Sequence, residues 1–166
     1  MPAKITINSQ FDGGNIICHK SESAADIQLT IKKDHQSDFY QWFYFRASGV
    51  KQQACQYNIT NAGEAAYLDG WNGYQAVASY DRNFWFRVPT EYKNGVLSIN
   101  HTSERDSVYY AYFAPYTMER HANFIAELQE YPQVQSEVLG QTLDGQDLDM
   151  LIIGEPAPHT KIWWLH

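Results

Sequence analysis

The chain has 166 residues, a formal charge of −7 and a pI near 5.2, with 44% hydrophobic and 19% charged residues. This size suits one ordinary domain, or one domain and part of another, and the composition excludes a disordered chain. The acidic balance argues against a nucleic-acid backbone as the main partner, and no apolar run is long enough to span a bilayer.

The opening MPAKITINSQ has no charged segment ahead of an apolar one, so no secretory leader is read there and a cytoplasmic setting is expected. Cys18 and Cys55 are then expected as reduced, small buried hydrophobes. The glycosylation-like triplets at Asn58 and Asn100 are read as coincidence.

Residues 4–114 read as strands. Ile27, Leu29 and Ile31 alternate with polar neighbours, as do Cys55, Tyr57 and Ile59. Turn signals punctuate the rest: DGGN at 12–15, ASG at 47–49, NAGE at 61–64, GWNG at 70–73, DRN at 81–83 and KNG at 93–95. Short strands at this spacing predict an antiparallel β-sandwich. The pattern then changes. Met118, Ala122, Ile125 and Leu128 fall at helical spacing behind Thr117 as N-cap, and Pro132 stops the helix. Two apolar runs flank Asp144-Gly145, which predicts a two-residue hairpin turn over 138–153. A Pro-containing spacer leads to a last strand at 161–165.

The chemistry-bearing patterns are sparse. His19 to Glu22 and His101 to Glu104 have the His-x-x-Glu spacing of zinc sites, but neither has a third ligand in view, so both are read as solvated loop residues. No nucleophile elbow, phosphate loop or dinucleotide fingerprint occurs. Asp147 and Asp149 share one strand face and read as a solvent-facing edge. The aromatic runs FYQWFYFR, NFWFRVP and VYYAYFAPY split over two faces by strand alternation. One set is expected in the core and the other under a neighbouring domain, with a ligand platform as the lesser possibility.

FDGGNI, WFYFRASG, YDRNFWFRVP and YYAYFAPYT, in this order, resemble the N-terminal β-sandwich domain of the cytosolic carboxypeptidase family, especially its bacterial members. The likeness covers essentially the whole chain. LGQTLDGQDLDMLIIG resembles the first hairpin of the α/β/α catalytic domain, although Gln146 stands where an Arg often follows the Gly, and KIWWLH resembles the strand after it.

The resemblance implies a sandwich accessory domain at 1–115, then the first helix, hairpin and strand of a catalytic domain at 116–166. It implies a parent enzyme that uses Zn²⁺ to remove C-terminal residues from peptides or proteins. The family's zinc ligands and general base follow the last strand, so no catalytic and no metal residue maps here, and His166 is not a ligand. This stretch alone is expected to be an inactive fragment that binds no zinc, packs on its own catalytic domain and shapes the cleft. No nucleic-acid or membrane partner is expected. Phe113, Pro115 and Tyr116 are the expected domain interface, because they join the last sandwich strand to the helix. The alternative is a stand-alone, non-enzymatic aromatic-rich module for a carbohydrate or protein ligand.

Overall fold

Period-2 alternation of buried side chains, clearest at 27–30, 54–59 and 96–99, lets ten short strands enclose one core. The computed structural model describes residues 4–154. The chain divides into two compact units, Met1–Pro115 and Tyr116–His166, each described by itself.

The first unit contains β1 (Thr6–Asn8), β2 (Ile17–Lys20), β3 (Ile27–Thr30), β4 (Tyr44–Ser48) and β5 (Ala54–Ile59). It continues with β6 (Val77–Ser79), β7 (Phe86–Arg87), β8 (Thr90–Lys93), β9 (Val96–Thr102) and β10 (Ser107–Ala111). These make two five-stranded sheets, ordered β1-β4-β10-β6-β7 and β2-β3-β5-β9-β8. This is the β-sandwich expected from the sequence, with one difference: β3 and β5 pair in parallel. The strand between them, β4, belongs to the other sheet, so the chain crosses over and returns in the same direction.

The facing rows are apolar. Ile27, Tyr57 and Ile99 align across one sheet, as do Leu29, Ile59 and Leu97. Phe45, Tyr110 and Ala78 align across the other. All nine are fully buried. Each large apolar side chain so withdrawn from water contributes about 1.5–3 kcal/mol. Asn94 and Gly95 both have positive φ, 51° and 81°, and form the tight two-residue turn between β8 and β9.

In the second unit, α1 (Met118–Leu128) starts where Thr117 accepts a hydrogen bond from the Arg120 amide, as predicted. The apolar stripe is less covered than its spacing suggests: Met118 and Phe124 are exposed, while His121, Ile125 and Leu128 are half-buried. The hairpin pairs β11 (Val134–Gln141) with β12 (Asp147–Ile153) and starts before residue 138. Its turn also differs from expectation. Only Gly145 has positive φ, and the Gly145 amide donates to the Thr142 carbonyl (3.0 Å), so Leu143 and Asp144 turn first and Gly145 absorbs the bulge. The expected strand at 161–165 lies outside the described residues.

Candidate functional site

The two outward faces of the sandwich differ in chemistry. On the β2-β3-β5-β9-β8 sheet, Gln28, Asn58, Ser98 and Glu91 form an outward row. Ser98 donates to Asn58 (2.8 Å), and Asn58 and Gln28 both donate to Asp26, which also pairs with Lys20 at 2.8 Å. His19, in the first His-x-x-Glu, lies on this exposed side and hydrogen-bonds Thr30 (2.8 Å). This is a solvent face whose polar groups satisfy one another.

The outward face of the β1-β4-β10-β6-β7 sheet is aromatic. Its rows are Asn8, Arg46, Tyr109 and Ser79, then Tyr44, Ala111, Val77 and Arg87. Phe11, Trp42, Trp85 and Tyr109 pack onto buried Tyr44, Val77 and Ala111. Phe11 meets Tyr44 edge-on at 4.9 Å, Trp85 meets it at 5.9 Å, and the Arg82 guanidinium lies 5.9 Å above Tyr109. Burial pushes the Tyr44 phenol pKa up.

Two loops build this layer. In the first, the Gly14 amide donates to the Phe11 carbonyl (2.8 Å), and a Cβ on Gly14 would meet the Ser9 carbonyl oxygen at 2.1 Å, so only glycine fits. Asn15 then donates to the carbonyls of Lys32 (3.2 Å) and Trp42 (3.0 Å), while the Trp42 indole donates to the Gly13 carbonyl (2.8 Å). In the second, Asp81 accepts the amides of Asn83 and Phe84, both at 2.8 Å. Those amides, Phe84's first, hold its carboxyl below the usual range, and the turn delivers Trp85 onto Tyr44. The segments FDGGNI, WFYFRASG, YDRNFWFRVP and YYAYFAPYT all contribute to this face.

Arg46 lies half-buried in the middle of it. Its Nε is buried without a hydrogen-bond partner. Sequence reasoning did not single it out, because nothing local distinguishes this Arg from a solvated one.

Of the expected interface residues, Phe113 is exposed, with its ring 5.0 Å from Trp42 and 5.5 Å from Tyr112. Pro115 is buried. Tyr116 is exposed, and its hydroxyl lies 3.3 Å from His121 Nδ1.

Three expectations need correction. Cys55 is buried but Cys18 is exposed, because β2 is an edge strand exposed along its length. His101, in the second His-x-x-Glu, is not a solvated loop residue: it is half-buried against Tyr80, Phe86 and Tyr110, with Nδ1 2.8 Å from the Tyr110 hydroxyl. Asp147 does face water, but Asp149 is half-buried and lies 2.9 Å from His121 Nε2. The shared cause is tertiary: burial of a strand-end or strand-edge residue depends on what folds over it. Asp149→Asn is expected to weaken the tie between α1 and the hairpin by about 0.5–1.5 kcal/mol. Faster amide exchange over 121–128 in this variant, and not in Asp147→Asn, is the check.

No three His, Cys, Asp or Glu side chains stand together to hold a metal among the described residues. No helix among them is long and apolar enough to cross a membrane. A pocket of about 320 Å³ lies beside Trp71, Tyr74 and Tyr92. Two of its aromatic handles are engaged within the fold: the Trp71 indole donates to the Ala62 carbonyl (3.0 Å) and the Tyr74 hydroxyl to the Tyr112 carbonyl (2.6 Å).

An aromatic-faced β-sandwich followed by a helix and hairpin is the class of structure these elements define. The chain belongs to the family described as the cytosolic carboxypeptidase N-terminal domain, whose model matches residues 7–113. An uncharacterized protein of Zymomonas mobilis is 48% identical, over 97% of this chain and 45% of its own. Cytosolic carboxypeptidase 6 of Mus musculus is 30% identical, over 92% of this chain and 31% of its own. The crystal structure of a metallo-carboxypeptidase from Burkholderia cenocepacia is similar with a TM-score of 0.89 and 44% identity, covering 93% of this chain and 42% of that one. A metallo-carboxypeptidase from Pseudomonas aeruginosa, solved with (2-guanidinoethylmercapto)succinic acid, has a TM-score of 0.89 and 36% identity over 95% of this chain and 43% of its own. The chain spans less than half the length of these relatives.

Proposed function

We propose that this chain is the N-terminal part of a cytoplasmic zinc metallocarboxypeptidase that hydrolyses C-terminal residues from peptides or proteins. Residues 1–115 are the accessory sandwich and residues 116–166 open the catalytic domain. The carrying observation is the reach of the likeness: the Burkholderia cenocepacia metallo-carboxypeptidase matches over 93% of the chain, beyond the family model's 7–113 and into the helix and hairpin. The ligand of the Pseudomonas aeruginosa neighbour carries carboxylates by name, and a free peptide C-terminus offers the same group. The cytosolic name of the family supports the cytoplasmic setting.

The metal would supply polarisation of the peptide carbonyl and activation of water. The described residues offer no ligand set for it. What this chain contributes is a scaffold that packs on the catalytic domain and shapes its cleft, with Phe113, Pro115 and Tyr116 at the seam. Pro115 limits the freedom of that junction.

The test is a chimaera in which this chain replaces the matched segment of the Burkholderia cenocepacia enzyme. It is expected to release C-terminal residues from peptides, to lose activity with a chelator and to regain it with Zn²⁺. Tyr116→Ala is expected to lower that activity more than Tyr67→Ala, an exposed loop residue. A folded chimaera without peptidase activity would sink the reading. Equal, negligible effects of the two substitutions would remove Tyr116 from the seam.

A further inference from the structure

We propose that the aromatic outward face of the β1-β4-β10-β6-β7 sheet is the surface that docks the catalytic part of the enzyme, and that Arg46 receives a carboxylate from it. This rests on the reading of the chain as the N-terminal part of a larger carboxypeptidase.

A sandwich of two antiparallel-type sheets ordinarily keeps both outer faces polar. Here only one is. The Gln28–Asn58–Ser98 face closes its own hydrogen bonds and needs nothing further. The opposite face gathers Phe11, Trp42, Trp85 and Tyr109, the residue types enriched at the centres of protein interfaces. The same fold thus supplies its own control for what a solvent face looks like.

Arg46 gives this face a charge preference. It sits between Asn8 and Tyr109 in the outward row. Its Nε is removed from water with nothing to donate to. A buried guanidinium N–H with no acceptor is unfavourable, and the planar donor fork it belongs to matches a carboxylate better than any other protein group. The missing acceptor is therefore a carboxylate-bearing surface.

The occupant follows from the length of the relatives. This chain matches only 45% of the Zymomonas mobilis protein and 42% of the Burkholderia cenocepacia enzyme, so more than half of each lies beyond the matched region. A body of that size joined to the sandwich is the partner nearest at hand for its aromatic face. A second copy of this chain is the poorer fit, since a two-fold contact would set the Arg46 face against itself.

The experiment uses the chimaera of this chain with the Burkholderia cenocepacia catalytic part, followed by calorimetric unfolding and peptidase assay. The unsubstituted chimaera is expected to unfold in one joint transition. Arg46→Glu is expected to split it into two and to lower activity at least tenfold. Arg46→Met removes the unpartnered donor while keeping the stem. It is expected to leave the sandwich transition at or above its original temperature while still uncoupling the domains, an outcome a purely internal role would not give. Gln56→Glu, on the polar outward face, is expected to change neither. Joint unfolding retained in both Arg46 variants of an active chimaera would overturn the docking face and leave the functional reading standing. So would two transitions in the unsubstituted protein, or self-association lost with Arg46→Glu. An inactive, folded chimaera would remove the functional reading and this inference with it.

Discussion

Trp71→Ala is expected to destabilise the sandwich by about 3–5 kcal/mol, much of the whole margin of an ordinary domain. Trp71 ends a short 3-10 turn, Leu68–Trp71, and is 2% exposed. Its ring meets Tyr74 at 5.4 Å and Tyr112 at 5.6 Å, and its indole N–H satisfies the Ala62 carbonyl. Ala62 opens the other 3-10 turn, Ala62–Glu64, so one side chain fixes both turns of the β5–β6 connection. Alanine leaves a cavity and an orphaned carbonyl together. Trp71→Phe keeps most of the volume and is expected to lose about 1–2 kcal/mol, mainly the hydrogen bond. Phe39→Ala, at a ring 69% exposed, is expected to stay within about 0.5 kcal/mol. Urea unfolding of the three variants gives the order. A Trp71→Ala chain as stable as Phe39→Ala would mean that the 62–71 connection does not belong to the cooperative unit.

The legible part of this molecule was what period and local chemistry decide. Alternation at 27–31 and 55–59 gave inward rows, and Thr117 marked the helix start because capping is local. The split of FYQWFYFR was also readable: Phe43 and Phe45 face the core while Trp42 and Tyr44 face outward. What was hidden depends on partners distant in sequence. The parallel pairing of β3 and β5 needs knowledge that β4 lies in the other sheet. Asp144-Gly145 promised a two-residue turn, but the strand register chose a bulged one, whereas Asn94-Gly95 made the tight turn. Arg46 and Asp149 look alike in sequence as solvated strand charges. One carries a buried, unpartnered Nε on the aromatic face and the other is the partner of His121. The site was legible only as far as the family resemblance carried it, because the face is assembled from four separated segments.

Tyr110→Phe is expected to cost about 1–3 kcal/mol although it removes a single oxygen. The Tyr110 hydroxyl lies inside the sandwich, 2.8 Å from His101 Nδ1, and donates to the Tyr57 hydroxyl at 3.4 Å. Burial, first of all causes, raises the pKa of both phenols, so they remain neutral hydrogen-bonding groups. Phenylalanine fits the space but leaves the buried groups on either side without their shared partner. The same chain sets a pH dependence. Burial lowers the His101 pKa below its ordinary 6.5, with Glu104 opposing in part. The imidazole is then neutral when folded and protonates more readily when unfolded. Stability from this source is fully present above pH 6.5 and is lost as pH falls from there toward the folded pKa. The slope is at most about 1.4 kcal/mol per pH unit for one proton. Urea unfolding at a series of pH values from 7.5 down to 5 is expected to trace this fall in the parent chain. In His101→Leu the curve should lie lower at pH 7.5, because Tyr110 loses a partner, and should flatten below pH 6.5. A slope unchanged by His101→Leu would place the titrating group elsewhere and reduce the buried chain to packing alone.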